Sequence, residues 1–94
     1  MPHITLVKKI LADGHPCAKC LQVEKRLETA GLMPHINDIV VADERVSDSP
    51  GIKLAEKHGV EQAPFFIVSD GDQNPVETVY TVYFEFVKAV FGSG

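Results

Sequence analysis

Cys17 and Cys20 are the residues best suited to covalent chemistry, and the chain has no other cysteine. They lie in His15-Pro16-Cys17-Ala18-Lys19-Cys20. A thiol attacks a disulfide as its thiolate, and free cysteine has a pKa of about 8.5. An apolar, β-branched run precedes the pair and a run of good helix formers follows it. The pair is therefore expected where a strand hands over to a helix. At a helix N-terminus, unpaired N–H groups and the helix dipole favour an anion at Cys17, and Lys19 adds positive charge nearby. Cys20 falls about one turn deeper on the same face. That asymmetry makes Cys17 the attacking thiol and Cys20 the resolving one. A bond closing so short a loop removes little chain entropy, so it reads as catalytic or regulatory, not as a structural staple.

The elements that must position this pair follow from the apolar pattern. Ile4 to Ile10 is apolar and β-branched, broken by Lys8 and Lys9, which predicts a strand over residues 3–9. Leu11 to Pro16 is a loop with Gly14 and Pro16 as breakers. A helix is expected from Cys17 to Ala30, with Cys20, Val23, Leu27 and Ala30 facing inward and Gly31 and Pro34 ending it. Ile36 to Ala42 reads as a second strand, and a helical crossover predicts parallel pairing with the first. Ser49-Pro50 looks like an N-cap and first helical residue. That helix reaches His58, is stopped by Gly59, and carries Gly51, which predicts an irregular first turn. Phe65 to Val68 is a third strand, Ser69 to Asn74 a turn cluster, and Pro75 to Tyr80 a fourth strand completing a hairpin. Val82 to Phe91 suits a closing helix that presents Phe84, Val87 and Phe91 to the sheet.

Ninety-four residues make one domain, 1–94, and bury enough surface for a core without cross-links. The apolar fraction of 45% argues against disorder. The net charge of −4, with no basic run, gives nucleic-acid binding no electrostatic footprint. No stretch approaches the ~20 apolar residues of a membrane span. The first residues lack a signal-peptide pattern, and two adjacent cysteines are no secreted disulfide framework. A reducing cytoplasm and a monomer are the expectation.

The element order β-α-β-α-β-β-α, with Cys17-Ala18-Lys19-Cys20 at a strand–helix junction, resembles the thioredoxin superfamily. Lys57-His58-Gly59-Val60-Glu61-Gln62-Ala63-Pro64 resembles that family's glycine, aliphatic, three residues, proline segment, and Ser49-Pro50-Gly51 ahead of it adds to the likeness. Starting directly on the strand before the cysteines, the chain is, within that superfamily, similar to glutaredoxins. The resemblance implies an α/β, thioredoxin-like fold with a four-stranded mixed sheet and three helices. It implies a disulfide oxidoreductase acting on protein or low-molecular-weight disulfides, regenerated by glutathione or a reductase, with no required cofactor. It implies a cis Pro64 facing the cysteines and an Ala63 backbone that pairs with substrate, with Pro16 and Lys19 beside the groove. The Gly-Gly pair and acidic residue with which glutaredoxins clamp glutathione are replaced by Tyr80-Thr81-Val82-Tyr83, which leaves glutathione as a ligand open.

Other readings of these residues stand beside this one. Cys-x-x-Cys is half of many zinc sites, with His15 a candidate third ligand, but no second such motif follows. A binding module holding a metal or an iron–sulfur cluster, or a redox-sensing interaction domain, is the alternative to an enzyme. His15 is otherwise an exposed loop residue that stabilises the thiolate when protonated. Lys19 is otherwise a solvated helix residue, His58 a packing residue, and Asp70 and Asp72 turn residues.

Overall fold

Successive side chains of a strand point to opposite faces, and in this protein that alternation builds two cores. The computed structural model describes residues 3–70 and 76–92. The first strand, β1 (His3–Ile10), sends Ile4 and Leu6 to one face and Val7 to the other. The strand β3 (Phe65–Asp70) sends Phe66 and Val68 to the first face and Phe65 and Ile67 to the second. Burial on both faces is why Leu6 and Val7 stand side by side in β1 and why β3 opens on the unbroken apolar run Phe65 to Val68.

β1 pairs in parallel with β2 (Asp38–Asp43) and antiparallel with β3, which pairs antiparallel with β4 (Val76–Tyr80). The sheet order is β2-β1-β3-β4. Val23 and Leu27 of α1 (Ala18–Thr29) and Phe86 of α3 (Tyr83–Phe91) complete the first core. Ile52, Leu54 and Ala55 of α2 (Pro50–His58) pack on the second. The protein is thus α/β, a four-stranded mixed sheet with three helices in the expected order. Among the described residues, no helix is long and apolar enough to cross a membrane.

Several local expectations are corrected. Ala30 is exposed: it is the C-cap of α1, and Gly31, at φ +73°, turns the chain away so that Leu32 packs on the core instead. A 3-10 turn, Met33–His35, precedes β2, which starts at Asp38 rather than Ile36. Ser49 is the N-cap of α2, but its buried hydroxyl does not cap; it accepts the Asp43 N–H at 2.9 Å and so ties the end of β2. On α3 two apolar stripes compete, and Phe86 takes the core position because its ring stacks on Phe66 at 3.9 Å and 3°. Phe84, expected inside, is 66% exposed. Of the expected turn, Ser69 and Asp70 belong to β3; positions 71–74 and Pro75 lie outside the described residues.

Gly51 does not make α2 irregular; it lets the helix lie directly on β2. A Cβ built there would meet the Val41–Ala42 peptide, 2.6 Å from the Ala42 Cα. Alanine normally improves a helix by about 1 kcal/mol over glycine. Here overpacking against main chain, about 3 kcal/mol at the upper end of such costs, outweighs it. Gly51→Ala is therefore expected to destabilise the fold by about 2 kcal/mol net, read as a lower midpoint in urea unfolding. An unchanged or higher midpoint would mean that α2 does not seat on β2 in this way.

Candidate functional site

The loop after β1 is a tight excursion that brings the chain back beside the strand it left. Leu11 N–H donates to the His15 carbonyl at 2.8 Å and Gly14 N–H to the Leu11 carbonyl at 2.9 Å, with Gly14 at φ +88°. Pro16 is exposed and forms an isolated bridge with Ile10. Cys17 N–H then donates to the Lys9 carbonyl at 3.1 Å. Cys17 is the N-cap of α1, with extended backbone at φ −62°, ψ 127°. Its Sγ accepts the Cys20 N–H at 3.4 Å, as a capping side chain does for an otherwise unpaired donor.

Cys20, one turn on, is 2% exposed, and its Sγ accepts the Lys9 N–H at 3.3 Å. The two cysteines thus grip both polar groups of the Lys9 main chain. Both are free thiols, and their acidities diverge. Burial pushes the Cys20 thiol up to about 12, against the Lys9 N–H, and the negative charges of Cys17 and Glu24 push the same way as burial. At Cys17, partial burial also pushes upward and is the largest single influence. The N–H of Cys20, the Cys20 thiol, the N–H of Lys19 and the charge of Lys9 together outweigh it, and the thiol lies below its ordinary value. A partly exposed low-pKa thiol beside a buried high-pKa thiol is what separates a nucleophile from a resolving group.

The remaining expected residues fall as follows. Lys19 is exposed and acts on Cys17 through its main-chain N–H, while the charge that reaches the thiol is that of Lys9. His15 faces solvent, with its Nδ1 3.2 Å from an Asp13 carboxylate oxygen. Among the described residues no group of three or more His, Cys, Asp or Glu gathers as a metal site. The Ala63–Pro64 bond is cis. Pro64 is buried and, with Lys19, Thr81 and Val82, lines a groove of about 230 Å³ between α1 and the start of α3. Ala63 lines a different cavity on the α2 side of the sheet, with Lys9, Glu44 and Phe65.

Two participants escape a sequence reading. Lys9 reads as an interruption in a buried strand, although its place at the strand end facing the cysteine loop was a usable signal. Glu24, held 3.2 Å from Lys8 across α1 and β1, reads as a solvated helix residue. Its spacing of four from Cys20 is what puts its charge near that sulfur.

Alkylation by iodoacetamide follows the thiolate fraction, so a lowered pKa moves the rate-against-pH curve toward lower pH. Cys17 is expected to titrate below free cysteine, while Cys20 in the native protein stays unmodified at neutral pH. Lys9→Gln, which keeps the main chain, should move the Cys17 curve back toward higher pH. Lys19→Gln should leave it in place. The reverse ranking of the two variants would assign the field to Lys19 after all.

No protein-family model, curated protein or solved structure matches this chain.

Proposed function

We propose that this protein is a thiol–disulfide oxidoreductase of thioredoxin-like, glutaredoxin-related design. One observation carries the reading: two thiols one helical turn apart, fixed to the same strand residue, with the outer one acidified and the inner one held protonated. A structural pair would need no such asymmetry. The element order and the Cys-x-x-Cys at the helix start support the same assignment.

In the proposed reduction, the Cys17 thiolate attacks one sulfur of a partner disulfide. A Cys17–partner disulfide forms, the partner's S–S bond breaks, and its other sulfur leaves as a thiolate. Cys20 then gives up its proton and attacks the Cys17 sulfur. The Cys17–Cys20 disulfide closes and the second partner sulfur leaves. Two electrons pass to the partner, whose thiolates are protonated from solvent. An external thiol, either a low-molecular-weight one or a reductase dithiol, returns the pair to its reduced state by the same exchange in reverse. A reducing cytoplasm supplies such thiols. Pro64 and Lys19 border the groove in which the partner chain lies.

Cys17→Ser is expected to reduce disulfide exchange to the background rate. Cys20→Ser should retain the first step and accumulate a mixed disulfide, visible as a mass increase equal to the trapped thiol. In glutathione buffers, the native pair should close reversibly at a potential of about −120 to −270 mV, the range of dithiol exchangers. Equal loss in both variants with no trapped species would remove the assigned roles.

A further inference from the structure

The groove beside Pro64 does not end there. A second cavity of about 590 Å³ shares Gln22, Arg26, Tyr83 and Phe84 with it, so the two form one channel along α1. The channel runs from Lys19 to Ala30. At 1.5 Å per helical residue that is about 16 Å, the reach of about five residues of extended chain. A small disulfide fills only one end of it.

Its charge is one-sided. Lys19, Lys25 and Arg26 line the channel and no carboxylate does, in a chain whose net charge is −4. Helical spacing produces the separation. Lys19, Gln22 and Arg26 recur at +3 and +4 on one flank of α1, while Glu24 and Glu28 recur at +4 on the other. Glu24 is turned toward Lys8. Among the described residues, none of the three cations has an ion-pair partner. In the middle of the channel stands Phe84, 66% exposed, with the Arg26 guanidinium 5.3 Å from its ring centroid. The ring holds the guanidinium over its face and leaves N–H groups free for a carboxylate.

The geometry points to the channel as the docking site for an extended acidic polypeptide segment of the disulfide-bearing partner. This rests on the exchange reading above and names its substrate class: protein disulfides flanked by Asp or Glu. The end lined by Lys19, two residues along the chain from Cys17, receives the reacting end of the segment, Lys25 and Arg26 receive its acidic residues, and Phe84 gives an apolar contact between them.

The test separates docking from exchange. A short fluorescein-labelled peptide with glutamates around a central serine cannot react, so anisotropy with the full chain reads binding alone. It is expected to bind at least about tenfold tighter than its glutamine counterpart at low salt, several exposed charge pairs each giving a few-fold. The preference should fade at high salt. Lys25→Glu combined with Arg26→Glu should abolish it, and Arg26→Lys should keep most of it; both sites are exposed, and an unchanged unfolding midpoint confirms intact folds. Equal binding of the two peptides overturns the proposal. So does tighter binding of single-stranded oligothymidylate at the same salt, which would make the channel a nucleic-acid groove. With cysteine in place of serine, presented as a disulfide, the acidic peptide should be reduced with a correspondingly higher kcat/KM. Charge-selective binding without exchange of any disulfide would leave the docking site and remove the oxidoreductase. Exchange without charge selectivity would do the opposite.

Discussion

The main chain of Lys9 is the constraint on which the site depends. Its carbonyl accepts the Cys17 N–H and its N–H donates to the Cys20 sulfur. Both cysteines are therefore registered to one residue of β1, the strand between β2 and β3. β1 is itself fixed from both faces by Leu6 and Val7, neither of which has measurable exposure. A shift of β1 by one residue would exchange those two side chains between the cores, and it would take the Lys9 peptide away from the helix start. The sheet's register and the geometry of the two thiols are thus one constraint. The Lys9 side chain adds charge to the same place, next to Cys17 and 3.6 Å from Glu44.

The two thiols share a helix and differ by one turn, yet opposite influences prevail. At Cys20 burial dominates and a single N–H donor cannot offset it. At Cys17 burial is smaller, and several weak donors outweigh it together. One pKa unit corresponds to about 1.36 kcal/mol, so hydrogen bonds of modest net value are enough to change the sign. In the proposed cycle this also orders the steps. The negative charge of Cys17 is one of the causes that hold Cys20 protonated. When Cys17 enters a mixed disulfide, that charge is gone, and Cys20 becomes easier to deprotonate at the moment its attack is required.

What the sequence made legible is what has a period or a fixed local chemistry. The strand and helix order, the parallel pairing of β1 with β2, the β3–β4 hairpin and the N-terminal place of Cys17 follow from alternation, helical spacing and breakers, whereas the antiparallel pairing of β1 with β3 has no local signal. The misses share one cause, which is that tertiary contacts choose between locally equivalent options. Nothing local to α3 says whether Phe84 or Phe86 turns inward; the ring of Phe66, some twenty residues away, decides. Gly51 looks like a weak helix start until β2 is seen lying against it. The Ser49 hydroxyl has an ordinary capping role available and bonds the Asp43 N–H instead. Lys9 interrupts an apolar run, and its importance lies in a loop that folds back onto it.

The same separation between local and tertiary bears on the charge of α1. Read along the chain, Lys19, Lys25 and Arg26 alternate with acids and amount to a solvated helix surface in an acidic protein. Wound into a helix and set beside α3, the cations fall on the groove side and the acids do not. In the proposed cycle, activation and attraction are then carried by different groups. The thiolate of Cys17 is favoured by Lys9 and by main-chain N–H donors, while Lys25 and Arg26 lie more than two turns further along α1. Salt screens exposed charges beyond about 8–10 Å at ordinary ionic strength and weakens a hydrogen bond to a partly buried sulfur far less. Ionic strength should therefore act on encounter with an acidic partner while leaving the nucleophile's acidity nearly fixed. Under the proposed reading, partner selection rests on a field that the chemistry does not use.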